Sequence, residues 1–313
     1  MDTAITIRLL QQQDLPSADQ VCRLAFGTAA GLANPLQMFG DAGYMHRWHL
    51  PSGHGIAAEQ NGQIIGTNFL NRWGSLGTFG PLTVHPDFWN QGIASQLMVA
   101  TMEQFTQWQT PTIGFFTSSN SPKHLWFYSK FGFSPAYLTT VLIKAVTSMP
   151  VVSYQRYSAL GFDQQQAVLR DCSTLTHAIY DGLEVTTEIQ LAHAQHLGET
   201  LLLYDDAGLT AFAICYYGAG SEGGSGNSYI KFGAARPGRQ VAQHFERLLD
   251  ACERFASEQD LANLTAGINI SRYDAYQRML AKGFKIQLVG VAMHQALQRD
   301  FCRPDVFALD DRR

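Results

Sequence analysis

The chain has 313 residues, of which 46% are hydrophobic and 15% charged, with a formal net charge of −4. That balance suits two well-packed domains, excludes a disordered chain and gives no general basic field for nucleic acid. No apolar run approaches the ~20 residues that cross a bilayer, MDTAITIRLLQQQD has no secretory layout, and five scattered cysteines without a CxxC pair fit reduced thiols in a cytoplasmic protein.

Ile5 to Leu10 reads as a strand, and Leu15 to Leu32 as a helix with Val21, Leu24, Ala25 and Phe26 near helical spacing. Residues 33–52 are irregular and rich in aromatics and histidine. Ile56 to Glu59 and Ile64 to Trp73 flank Asn61-Gly62, whose tolerance of positive φ marks a type I′ hairpin. Ser75 to Val84 is a further strand, with Gly74, Gly77 and Gly80 at or near it as signs of a bulge or close backbone approach. Ile93 to Trp108 is a helix, Thr112 to Thr117 a strand, Pro122 to Phe131 a helix and Tyr137 to Val146 a strand, with Met149-Pro150 as the break.

The order then recurs. Val151 to Tyr157 is a strand, Asp163 to Ile179 a helix, and Leu201 to Asp205 with Leu209 to Tyr217 a second hairpin. Gly218 to Asn227 is glycine- and serine-rich and reads as a flexible loop. Tyr229 to Ala234, Val241 to Ser257, Leu264 to Asn269, Tyr273 to Leu280 and Phe284 to His294 alternate as strand, helix, strand, helix and strand. One displacement carries Pro86 onto Pro237, Gly132 onto Gly283 and Phe133 onto Phe284. A repeat this long is a duplicated domain. The expected division is 1–148, 151–300 and a tail at 301–313.

The chemistry concentrates in LTVHPDFWNQGIASQLM, Leu82 to Met98. A strand ends, a polar loop follows, and small residues open a helix. The first turn of a helix has unpartnered N–H groups at the positive end of its dipole, where a pyrophosphate can bind if no bulky side chain intervenes. Gly92 and Ala94 leave that approach open.

This stretch, followed by SPKHLWFYSKFGF (Ser121 to Phe133), resembles the GCN5-related N-acetyltransferase (GNAT) family over roughly residues 3–147. The second half resembles a degenerate copy, through its element order and AYQRMLAKGF. The resemblance implies a mixed α/β fold of two tandem domains, each a mixed, largely antiparallel sheet flanked by helices. It implies that acetyl-CoA is the cosubstrate and that no metal is needed. It implies that Leu82, Thr83 and Val84 meet the pantetheine arm and that Gln91, Gly92, Ile93, Ala94 and Ser95 hold the pyrophosphate, with Asn120 or Ser121 beside the cofactor. Trp89 and Asn90 stand where the family has Arg or Gln and then Gly, which removes a charge but not the backbone cradle.

Tyr128 matches the family's tyrosine, the proton donor to the leaving thiolate; the bland reading is a core anchor. No carboxylate lies in Ser75 to Val84, so the base is open, with Glu59 the nearest candidate and a solvated strand residue its bland reading. His85 reads as a loop residue with a structural role. His46, His49 and His54 have no cysteine near and are not read as a metal site. The segment Pro35 to Leu50, with Met38, Phe39, Tyr44 and Trp48, is either a wall of the acceptor pocket or ordinary core. In the second half, matching by the same displacement puts Gln243 at Gly92, Phe245 at Ala94 and Met279 at Tyr128. Phe245 would then crowd a pyrophosphate, and Met279 cannot donate a proton. The expected acceptor is a small-molecule or peptide amine, with no nucleic-acid or membrane partner and a homodimer possible. The rival readings are an acyl-CoA sensor that does not turn over and a dinucleotide enzyme. The latter would require GxGxxG in a parallel βαβ unit, and only Gly92 is present.

Overall fold

The computed structural model describes residues 4–51, 53–147, 149–295 and 300–313. In the first half β1 is Thr6–Leu9, α1 Leu15–Ala29, β2 Gly53–Gln60, β3 Gln63–Trp73, β4 Leu76–Phe79, β5 Thr83–Val84, α2 Ile93–Gln107, β6 Thr112–Ser118, α3 Pro122–Ser129 and β7 Phe133–Ala145. The second half supplies β8 Gln155–Arg156, α4 Phe162–Ile179, α5 Thr186–Ala194, β9 Gly198–Asp205, β10 Gly208–Gly218 and β11 Gly224–Ala235. It continues with α6 Val241–Glu258, β12 Asn263–Asn269, α7 Tyr273–Ala281, β13 Lys285–Gln295 and β14 Ala308–Leu309. Among the described residues, no helix is long and apolar enough to cross a membrane.

Local sequence accounts for most of these elements. In α1, Ala18, Val21, Cys22 and Ala25 repeat at three and four residues and are the buried face. Asn61 and Gly62 both take positive φ, at 53° and 77°, and close the β2–β3 hairpin. The strand expected over Ser75 to Val84 is instead two short strands, β4 and β5, with a cis Gly80-Pro81 bond between them. The helix α5 was not legible, because it buries Glu188, Ile189, Leu191 and Ala192 without an apolar stripe of regular spacing.

One sheet runs through the whole chain, in the order β1-β2-β3-β4-β6-β13-β7-β12-β11-β10-β9-β8. The last strand of each half has crossed over. β13 lies between β6 and β7, and β7 pairs with β12 of the second half. A break in the chain near residue 150 is therefore not a break in the sheet.

Residues 301–313 are not a loose tail. Phe301, Phe307, Ala308, Leu309, Asp310 and Arg312 are buried. β14 pairs with β11 at Gly233 and Ala234, and the Asp310 N–H donates to the Gly267 carbonyl of β12 at 3.0 Å. The segment thus fills the gap that opens where the parallel strands β11 and β12 cease to pair after Ile230 and Ala266. Arg272, fully buried, donates to the carbonyls of Ala308 (2.7 Å) and Asp310 (3.2 Å).

Gly218 to Asn227 is not a flexible loop either. Its Gly220 N–H donates to Asp41, its Ser221 carbonyl accepts from Gly43, and Ser225 is bonded to Asp41. Glu222, buried, accepts from Arg47 at 2.8 Å and Lys231 at 3.0 Å. Burial alone would raise its pKa, but Arg47, Lys231 and His46 outweigh it and hold the carboxyl well below its ordinary range.

Candidate active site

The parallel strands β4 and β6 pair only at Leu76–Thr112 and Gly77–Ile113, then diverge. The gap they leave continues along β5, which is paired to β3 on its other edge. The His85 N–H donates to Ile65 of β3 at 2.8 Å. Alternation along a strand then turns Thr83 toward β3 and leaves the peptide groups of Leu82 and Val84 facing the gap. Thr83 is spent on β3 through its side chain as well, at 3.0 Å from Thr67 Oγ1, so its expected cofactor contact is corrected to a structural one. The Val84 carbonyl accepts from the Trp89 indole at 2.7 Å, a contact the sequence did not suggest.

The loop then turns through Asn90 and Gly92, both at positive φ, and Gly92 caps α2. Among the described residues, the amides of Gln91, Gly92, Ile93 and Ala94 donate to no protein acceptor. A Cβ on Gly92 would meet nothing within 4 Å, so the approach is open. Ser95 differs: its N–H already donates to the Gly92 carbonyl at 3.1 Å, and the cradle is four amides rather than five. Lys123, at the start of α3, reaches Asn90 Oδ1 at 3.1 Å. It brings a positive charge beside the loop; a lone exposed lysine gave no sequence signal for this. Ser121 caps α3, its hydroxyl accepting from the His124 N–H at 3.3 Å, and Asn120 Oδ1 accepts from Ser118. Both lie at the β6–α3 junction beside that loop.

Tyr128 projects from α3 onto rings contributed by both walls of the gap, 4.3 Å from Phe115 of β6 and 6.0 Å from Phe79 of β4 between centroids. Burial pushes its hydroxyl pKa up, so it is protonated at neutral pH. Its hydroxyl has no protein partner among the described residues. The Gly80 N–H donates to Phe69 of β3 at 2.7 Å, so alternation leaves the Phe79 N–H facing the gap, placed to stabilise an oxyanion.

Glu59 is not part of this arrangement. It sits on β2 near the sheet edge, held by Arg8 at 2.7 Å, two strands from β5 and at the opposite end of the sheet from Phe79. His85 is the loop residue expected, its Nδ1 accepting from the Asp87 N–H at 3.3 Å. Trp48 is core, bonded to the Leu10 carbonyl, while Arg47 and Leu50 of the same segment wall a slot on the other face of the sheet from Tyr128.

The second half corrects one expectation. β12 and α7 follow the common displacement and put Met279 at the place of Tyr128. α6 begins one turn sooner, capped by Gln240, but it ends where the displacement puts it, with Glu258 against Gln107, and its buried face keeps that register, with Leu248, Leu249 and Cys252 at the places of Leu97, Met98 and Thr101. Phe245 thus stays at the place of Ala94, fully buried, but in the second turn of α6 rather than at the helix start where a cradle would lie. What fills the equivalent gap is the 307–310 segment.

His294, Asp300 and Cys302 lie close enough to suggest a metal, but Arg312 is the cation there. Its guanidinium bonds Asp300 and reaches His294 Nε2 at 2.9 Å. Burial and Arg312 hold the His294 pKa down to about 4, so the neutral ring accepts that bond. The Arg312 carbonyl in turn accepts from the Phe116 N–H, which places the C-terminal segment against β6 of the first half.

Residues 51–135 match a family model described as an acetyltransferase (GNAT) domain. Among solved structures, a proposed acetyltransferase from Pyrococcus horikoshii aligns at TM-score 0.70 and 12% identity, over 98% of this chain and 95% of that one. A GCN5-related N-acetyltransferase from Sphaerobacter thermophilus aligns at TM-score 0.61 and 12% identity, over 95% and 96%. A tandem GNAT protein from the clavulanic acid biosynthesis pathway aligns at TM-score 0.58 and 12% identity, over 93% and 98%. No curated protein matches the sequence. Residues 51–135 are thus similar to a GNAT domain, and over its length the chain has the fold of a tandem GNAT protein.

Proposed function

We propose that this GNAT-fold chain is an N-acetyltransferase that binds acetyl-CoA in the gap between β4–β5 and β6 and moves the acetyl group to an amine by direct attack. The observation that carries the reading is the four unpartnered amides at Gly92 on the same gap that the Phe79 N–H and Tyr128 face. Acetyl-CoA supplies a thioester carbonyl and a thiolate leaving group. The cradle and Lys123 hold the pyrophosphate end. The open edge of Leu82 and Val84 takes the pantetheine arm, which competes with the Trp89 indole for the Val84 carbonyl. The Phe79 N–H meets the oxyanion and Tyr128 protonates the thiolate. The acceptor is a small-molecule or peptide amine. Division into a catalytic first half and a bracing second half is part of the same reading, with the strand exchange fixing one half against the other.

A thiol-release assay across amine classes tests this. Release that depends on both acetyl-CoA and an amine supports the enzyme. Binding without release would favour the acyl-CoA sensor, which keeps the cradle alone. In the active case Tyr128→Phe is expected to lower turnover about a hundredfold while leaving acetyl-CoA affinity nearly unchanged; equal turnover would remove Tyr128 from the acid role. Because residues 307–310 occupy the second gap, calorimetric titration is expected to give one acetyl-CoA per chain, and two per chain would contradict that blockage.

A further inference from the structure

On the face of the sheet opposite Tyr128, β3 and β4 border a slot lined by Asn71, Trp73, Thr78, Gly80 and, from the second half, Glu188. The slot has room for about one water, near 10 Å³. Glu188 comes from α5 and is fully buried. Its carboxylate accepts from the Tyr216 hydroxyl at 2.6 Å, the Trp73 indole at 3.1 Å and Asn71 Nδ2 at 3.5 Å. Asn71 is the β-ladder partner of Thr78, one residue before the Phe79 N–H that faces the gap.

The other acids around this centre are committed to cations. Glu222 holds Arg47 and Lys231, Asp300 holds Arg312, Asp310 lies against Arg272 and Arg312, and Asp311 holds Arg313. Arg47, Lys231, Arg312 and Arg313 line the same slot as Glu188, and each already has an acidic partner. Among the described residues, the hydrogen bonds to Glu188 come from neutral donors alone. Glu188 is thus a buried carboxylate held by neutral donors, beside a water-sized space that also borders Asn71, Thr78 and Gly80.

We infer that Glu188, supplied by the second half, is the general base for the amine acetylated in the first. This rests on the acetyl-transfer reading above. The acceptor ammonium gives one proton to Glu188, directly or through one water, and Glu188 later returns it to solvent. The neutral amine attacks the thioester carbonyl from the Glu188 face, the C–N bond forms, and the C–S bond breaks on the Tyr128 face. Tyr128 gives its proton to the thiolate and recovers one from the nitrogen as the amide forms. The second half thereby completes the site rather than only bracing it, and α5 is the element that couples the two.

The test uses the full-length chain and the best amine from the thiol-release assay. Glu188→Gln keeps the shape and the hydrogen bonds to Trp73 and Asn71. Its turnover is expected to fall at least about a hundredfold at neutral pH, with acetyl-CoA affinity by calorimetry unchanged. The deficit is expected to shrink as pH rises, because an amine already neutral in solution needs no base; a structural role would leave it constant. Glu188→Asp, which retains the charge one methylene shorter, is expected to recover part of the turnover, and it also serves if the Gln variant does not fold. Wild-type turnover with full activity in Glu188→Gln would overturn the assignment while leaving the transferase reading intact. A loss that is constant across pH and not relieved by Asp would also overturn it. A wild-type chain that releases no thiol with any amine would overturn the transferase reading and this inference with it.

Discussion

Gly92→Glu is expected to weaken acetyl-CoA binding at least about a hundredfold, roughly 2.8 kcal/mol at 1.4 kcal/mol per decade. A Cβ at this position would meet no protein atom within 4 Å, so the effect is expected on the ligand side of the loop. There the carboxylate would stand among four unpartnered amides, take their hydrogen bonds and repel a pyrophosphate. The φ of +79° adds a strain of about 1–2 kcal/mol for a residue with a Cβ. Gly92→Asn separates the two effects, since Asn tolerates this region and carries no charge; it is expected to lose far less affinity. Calorimetry showing unchanged affinity for the Glu variant would remove the cradle from Gln91 to Ala94.

Arg272→Ala is expected to cost about 3–5 kcal/mol of folding stability, read from the urea midpoint. Arg272 is among the largest fully buried side chains. Truncation would orphan the carbonyls of Ala308 and Asp310, leave a cavity over Phe301, and strip Asp310 of one of its two cations. Burial raises the Asp310 pKa, while Arg272 and Arg312 lower it; losing Arg272 pushes it up further and favours the protonated acid. The amides of Ala235 and Asp310, which join the 307–310 segment to β11 and β12, are expected to exchange faster with deuterium. A midpoint shift equivalent to less than about 1 kcal/mol would mean that this segment does not depend on the arginine.

The Gly92 loop and its free amides were legible because everything they need is local. Val84 to Ser95 encodes a strand end, a turn at positive φ and a helix start in consecutive residues, and the free amides follow from helix geometry alone. The hairpin at Asn61-Gly62 and the α1 face were legible for the same reason. Glu59 failed as a base because strand order, not distance in sequence, decides which residues share a site. Phe245 lies inside α6 rather than at its start because a shorter connection adds one turn to the front of that helix, while its buried face keeps the displacement that the flanking elements obey.

The sequence by itself determined most of the element order and its recurrence, the Gly92 loop and the helix that carries Tyr128, since turn chemistry and periodicity act within a few residues. Only the tertiary structure decided that β7 and β13 change halves, that residues 307–310 fill the second gap, and that Glu188 stands behind β3 and β4. Those outcomes depend on which strand edges meet and which buried charges find partners across the whole chain. Hydrophobic period says that a strand is buried, but not beside which neighbour, and a lone carboxylate in a helix carries no mark of the cavity it will line.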